Sequence, residues 1–105
     1  MATARVRQTT PGVVPQGEDE VMVYTVTLDS GSAPTSVSVA AYDVTGRQRE
    51  DVTATVLTGA AAVVDNVITL PELASLTAHR AYRIEVKYDL GSETLEDWFI
   101  VNAEE

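Results

Sequence analysis

Apolar and polar positions alternate with a period of two through much of the chain, the pattern of strands with one face in a core and one in water. The clearest run is 82–89, where Tyr82, Ile84, Val86 and Tyr88 alternate with Arg83, Glu85, Lys87 and Asp89. Val21 to Leu28, VMVYTVTL, is the best strand of the first half, with Met22, Tyr24, Val26 and Leu28 on the core face and Thr25 and Thr27 outside. Val37, Val39 and Ala41 predict a third strand ending near Tyr42-Asp43, and Val52, Ala54 and Val56 predict a fourth, DVTATVL. Asp65-Asn66, between Val63-Val64 and Val67-Ile68, reads as a two-residue hairpin. Pro71 to Ser75 reads as one helical turn, since proline suits a first turn and Glu72 complements the dipole. Residues 3–8 predict a first edge strand, whose pairing Pro11-Gly12 and Pro15 are expected to end.

The last strand, Thr94 to Asn102, poses a conflict. Leu95, Phe99 and Val101 share a face with Asp97, while Trp98 and Ile100 share the other with Glu96, and a straight strand cannot bury all five apolar groups. Phe99 and Val101 are assigned to the inside. Trp98 and Ile100 then form an outward contact patch, unless a bulge re-aims them or the N-terminal segment folds over them.

Seven or eight short strands about ten residues apart, with turn residues between them, predict an all-β fold: an antiparallel two-sheet sandwich. With 105 residues the chain is one domain. Residues 18–105 make the sandwich, and residues 1–17 an N-terminal arm or edge strand. There is no cysteine to staple it, and the longest apolar run, Ala60 to Val64, is too short for a leader or a membrane span. Synthesis and folding in a cytoplasm are therefore expected, with no membrane partner; the first methionine and the Glu104-Glu105 ending suggest a complete reading frame.

Sixteen acidic and seven basic residues leave a net charge of −9, which repels phosphate backbones and argues against nucleic acid as a partner. Residues 1–17 nevertheless carry Arg5 and Arg7 and no acid. These arginines either dock the segment on an acidic neighbour or sit solvated on an edge.

Candidates for chemistry are few. His79 is the single histidine, so neither a two-histidine metal site nor a triad with a second base can be assembled. The serines lie outside any nucleophile-elbow context, and paired acids such as Glu96-Asp97 say little on so acidic a surface. The Asp43-Val44-Thr45-Gly46 turn suggests an oxygen-ligand site but lacks the carboxylates at fixed offsets that calcium requires. No catalytic residue, metal or cofactor is expected, and the protein is read as non-enzymatic.

Leu76 stands six residues before Tyr82, the spacing of the tyrosine corner, and Ile84 stands where antibody domains have a cysteine. In these residues the chain resembles the immunoglobulin-like superfamily, although the early core tryptophan of such domains is missing. The runs VYTVTLDSG, YDVTGRQREDVTATVLTG and VVDNVITLPELASLTAHRAYRIEVKY, with a short acidic tail after WFIV, resemble small virion proteins of tailed bacteriophages. The resemblance implies an Ig-like β-sandwich of seven to eight strands in which Leu76, Tyr82, Ile84 and Val86 are structural. It also implies a structural protein of the virion, made in the host cytoplasm and attached in many copies to the capsid or head–tail region as a decoration protein or adaptor. Its partners would be other virion proteins and copies of itself, met through Arg5, Arg7, Trp98 and Ile100. Two rivals stand beside it: a carbohydrate- or surface-binding adhesion module, with Trp98 and Tyr42 stacked on sugars, and a fragment of a bacterial extracellular Ig-like array.

Overall fold

The computed structural model describes residues 4–28 and 33–105, with side chains from residue 13 onward. In chain order the elements are β1 (Ala4–Gly17), β2 (Thr25–Thr27), β3 (Thr35–Asp43), β4 (Glu50–Asp51), α1 (Thr53–Val56), β5 (Leu57–Thr58), β6 (Ala62–Val64), β7 (Val67–Thr69), β8 (Glu72–Leu73), β9 (Ala81–Leu90) and β10 (Glu93–Glu104). Strands take 58% of the chain and α1 is a single turn, so the class is all-β.

The larger sheet has the order β1-β10-β9-β3-β4, antiparallel except that β1 lies parallel to β10. A second layer carries β2-β7-β6 and the short ribbon β5-β8. These two pieces continue one another. Val64 pairs with Val67 and Ala62 with Thr69, and beyond an interruption Thr58 pairs with Glu72 and Leu57 with Leu73. On the other side Met22 bridges to Leu73, and the Leu70 N–H donates to the Tyr24 carbonyl at 2.9 Å. The interruption sets residues 59–61 against Leu70 and Pro71, one extra residue in a bulge; Gly59 there has φ +94° and Pro71 has no N–H to offer.

The core lies between the layers. Tyr82, Ile84, Val86 and Tyr88 of β9, with Leu95, Phe99, Val101 and Ala103 of β10, meet Val26, Leu28, Ile68, Leu70 and Leu73 from the second layer. One polar pair shares this interior. Asp97 is buried on the inner face of β10, where the buried Tyr88 hydroxyl donates to its Oδ2 at 3.0 Å. The strand is therefore straight through its conflicting region: Phe99 and Val101 point inward, Asp97 goes in with them, and no bulge interrupts the ten pairs of the β9–β10 ladder.

Specific hydrogen bonds close the sides and one end of the sandwich. The buried Gln16 of β1 donates from Nε2 to the carbonyls of Leu73 at 2.8 Å and Glu20 at 3.0 Å, and its Oε1 accepts from the Tyr24 hydroxyl at 2.7 Å. Across the molecule the Ala41 N–H donates to Thr53 Oγ1 at 2.9 Å, tying α1 to β3. At the end, the Thr77 N–H donates to the hydroxyl of the buried Tyr82 at 2.9 Å. Leu76 is buried beside this corner, while Ser75 and His79 hold left-handed φ values of +60° and +69°.

Four sequence expectations are corrected. β1 runs on to Gly17, and its ladder shifts register between Gln8 and Val13 before continuing past Pro15; an edge strand bonded on one side tolerates proline. Residues 53–56 are a helical turn: Val52 and Val56 are four apart, a separation common to both periods, and the exposed Ala54 decides for the helix. Asp51 starts that turn by accepting the Thr53 N–H at 3.0 Å. The expected turn at Pro71 to Ser75 is instead β8, because Glu72 and Leu73 complete the ladder with β5. In VMVYTVTL regular strand is confined to Thr25–Thr27, and Met22 is exposed; Val26 and Leu28 are buried and Tyr24 half-buried.

Replacing Tyr82 by Phe removes the acceptor of the Thr77 amide while keeping the ring. We expect a loss of about 1–2 kcal/mol, read as a lower urea midpoint with unchanged slope. An unchanged midpoint contradicts the role given to this bond.

Candidate interaction surface

Because Leu95, Asp97, Phe99 and Val101 point inward, Glu96, Trp98 and Ile100 must point outward. The ladder extends this parity across the sheet. Ile100, Arg83 and Tyr42 make one outward row, Trp98, Glu85 and Ala40 the next, and Glu96, Lys87 and Ser38 a third.

Side chains on this face are linked in series. The Arg83 guanidinium lies 4.2 Å from the Trp98 ring centroid, and its Nε is 2.8 Å from Glu85 Oε2. Arg49 Nη1 reaches the same oxygen at 3.0 Å, and its guanidinium lies 4.0 Å from the Tyr42 ring centroid. One carboxylate thus joins two stacked cations, in the order Trp98, Arg83, Glu85, Arg49, Tyr42. Each contact is worth on the order of 0.5–1 kcal/mol, so the series matters chiefly by fixing rotamers before anything binds.

Trp98 and Ile100 are half-buried, which corrects the expectation of an open tryptophan: Arg83 covers its ring. Val13, opposite Ile100 on β1, stays 49% exposed and extends the apolar strip. Arg5 and Arg7 belong to β1 opposite Leu95 and Asp97, but their side chains lie outside the described residues. Leu76, Tyr82, Ile84 and Val86 are all buried. Arg83, Glu85 and Arg49 were missed as site residues. The signal for the first two was their parity with Trp98, whereas Arg49 reaches the face from a loop that periodicity does not describe.

The Asp43 turn is a structural lock. Asp43 Oδ1 accepts the Thr45 N–H at 3.0 Å, and Oδ2 accepts from Arg80 Nη1 at 2.8 Å. Burial pushes this carboxyl up, but the bonds from Thr45 and the Arg80 charge outweigh it and hold its pKa below the ordinary value. His79 is exposed, with Nε2 3.3 Å from Glu105 Oε1. Among the described residues no group of three or more His, Cys, Asp or Glu is arranged to hold a metal ion.

Searched against protein-family models and curated proteins, the chain matches none.

A carboxyl whose pKa is depressed by folding adds stability that is complete above its unfolded value of about 3.9 and is lost as pH falls through the lower folded value. Denaturation of the wild type and of Asp43→Asn from neutral to acidic pH is therefore expected to show the variant less stable by on the order of 1 kcal/mol at neutral pH. The difference shrinks below about pH 4. A gap independent of pH contradicts the assignment.

Proposed function

We propose that the chain is a non-enzymatic Ig-like module of a tailed-phage virion, bound in many copies to the capsid or head–tail region as a decoration protein or adaptor. The fold supports the Ig-like part. In chain order the larger sheet holds the first strand beside the last, then the penultimate, the third and its short neighbour, against a layer built from the second strand and the hairpin that follows α1. That division is the one expected of a variable-type Ig sandwich, with GFCC′ facing BED, and the place of Tyr82 near the start of the penultimate strand suits a tyrosine corner.

The observation that carries the functional reading is the outward series from Trp98 to Tyr42. Arginine, tryptophan and tyrosine are the residues most concentrated at protein-binding hot spots, and here Trp98, Arg83 and Tyr42 on strands and Arg49 on a loop are pre-arranged beside Ile100 and Val13. The same geometry argues against the sugar-binding alternative. Stacking on a sugar requires open aromatic faces, and guanidinium groups already lie over Trp98 and Tyr42.

The test uses particles of the encoding phage from which this gene has been deleted. Purified protein is expected to bind them, and Trp98→Ala to weaken binding by about 30-fold, the measure of a hot spot, without loss of fold. Absence of wild-type binding overturns the virion reading; equal binding by Trp98→Ala overturns the choice of face.

A further inference from the structure

The ladder that joins β1 to β10 comes in two pieces. Ala4 to Gln8 pair with Thr94 to Trp98, and Val13 to Gly17 pair with Ile100 to Glu104. Between the pieces four residues, Thr9 to Gly12, stand against the single position of Phe99. Pro11 has no N–H to give a ladder, and Gly12 carries no Cβ to restrict its dihedrals, so the break has the chemistry of a hinge.

The two pieces are held differently. In the second, the buried Gln16 donates to the Leu73 and Glu20 carbonyls and accepts from the Tyr24 hydroxyl, Val14 packs against the core, and just beyond it the Glu18 N–H donates to the Glu104 carbonyl. The first lies at the edge of the sheet, and its pairing is with β10. Charge also sets it apart from the body. Residues 1–17 hold Arg5 and Arg7 and no acid, while the rest of the chain holds five basic and sixteen acidic residues. The register sets Arg5 and Arg7 level with Leu95 and Asp97, on either side of the pair Val6 and Glu96, with Glu93 one residue before the ladder begins.

We infer that residues 4–8 are a strap latched by charge, which turns about residues 9–12, closes on the acidic edge of β10 at low ionic strength and leaves it as salt rises. A terminal edge segment is among the least costly parts of a sheet to open, so screening a few charges shifts its population. Opening leaves the N–H and C=O groups of β10 between Thr94 and Trp98 unpaired, an edge to which an extended segment can add as a further strand. It also uncovers the flank of Trp98 next to Gln8, so the strap gates the surface that carries Trp98. The strap rests on the ladder and the charges and stands apart from the virion reading.

Hydrogen exchange of the full chain, followed by NMR at about 0.1 M and about 1 M sodium chloride, tests it, because the Debye length falls from roughly 10 to 3 Å between them. Amides of residues 4–8 bonded to β10 are expected to lose protection by about five- to tenfold at high salt, while those of residues 13–17 keep theirs. Arg5→Gln combined with Arg7→Gln should bring the same loss at low salt and abolish the salt dependence. Arg47→Gln, which removes a charge from an exposed loop, should change neither. Trp98 is the only tryptophan, so its fluorescence reads the coupling: acrylamide is expected to quench it more strongly in the double variant than in the wild type at low salt. The inference is overturned if both pieces of β1 respond to salt alike, if the double variant keeps wild-type protection, or if quenching is the same in the two proteins.

Discussion

The unbroken ladder between β9 and β10 is the constraint on which the rest depends. Ten consecutive pairs without a bulge leave the two strands one parity, and every second residue is committed to the core or to water together with its partner. Tyr82, Ile84, Val86 and Tyr88 are driven inward by the area they bury, which sends Arg83, Glu85 and Lys87 out. Asp97 is carried in by the same parity. Its burial is tolerable because the Tyr88 hydroxyl, two residues along the partner strand from the position opposite, reaches its carboxylate.

The two faces of the sandwich then acquire distinct characters. On the larger sheet, charged and aromatic groups from three strands meet over Glu85, giving an outward surface with fixed rotamers. On the second layer the outward positions are valine, threonine and alanine, flat and neutral in a strongly acidic molecule. The connections between layers are polar and specific. Gln16 and Thr53 work across opposite sides, and Tyr82 works at the end where the chain turns into β9.

Much of the architecture is legible in the sequence because strict alternation survives where a strand is paired on both sides. Residues 82–89 are such a stretch, and the Asp65-Asn66 hairpin is legible from its turn, where Asp65 takes φ +52°. Legibility fails at the margins. At residues 52–56 two apolar groups four apart satisfy helix and strand alike; the exposed Ala54 tells them apart, and Asp51 starts the turn by accepting the Thr53 N–H. Pro15 reads as a breaker, yet it sits in a strand bonded along one edge. Around Val21 to Val23 the apolar run begins before regular pairing does, so the apolar pattern reaches beyond the strand and leaves its valines in water. The candidate surface was half visible: parity located Trp98 and Ile100, but Arg49 comes from a loop 36 residues away from Glu85, a contact that only the fold creates.

The most direct test of this account is the interstrand pattern of nuclear Overhauser effects between backbone protons of β9 and β10 in solution. The ladder predicts cross-peaks that pair Phe99 with Ile84 and Val101 with Tyr82, continuing without a break from Glu93 to Asn102. A pattern displaced by one residue, pairing Phe99 with Arg83 or with Glu85, would turn Asp97 outward and Trp98 into the core, and would contradict it.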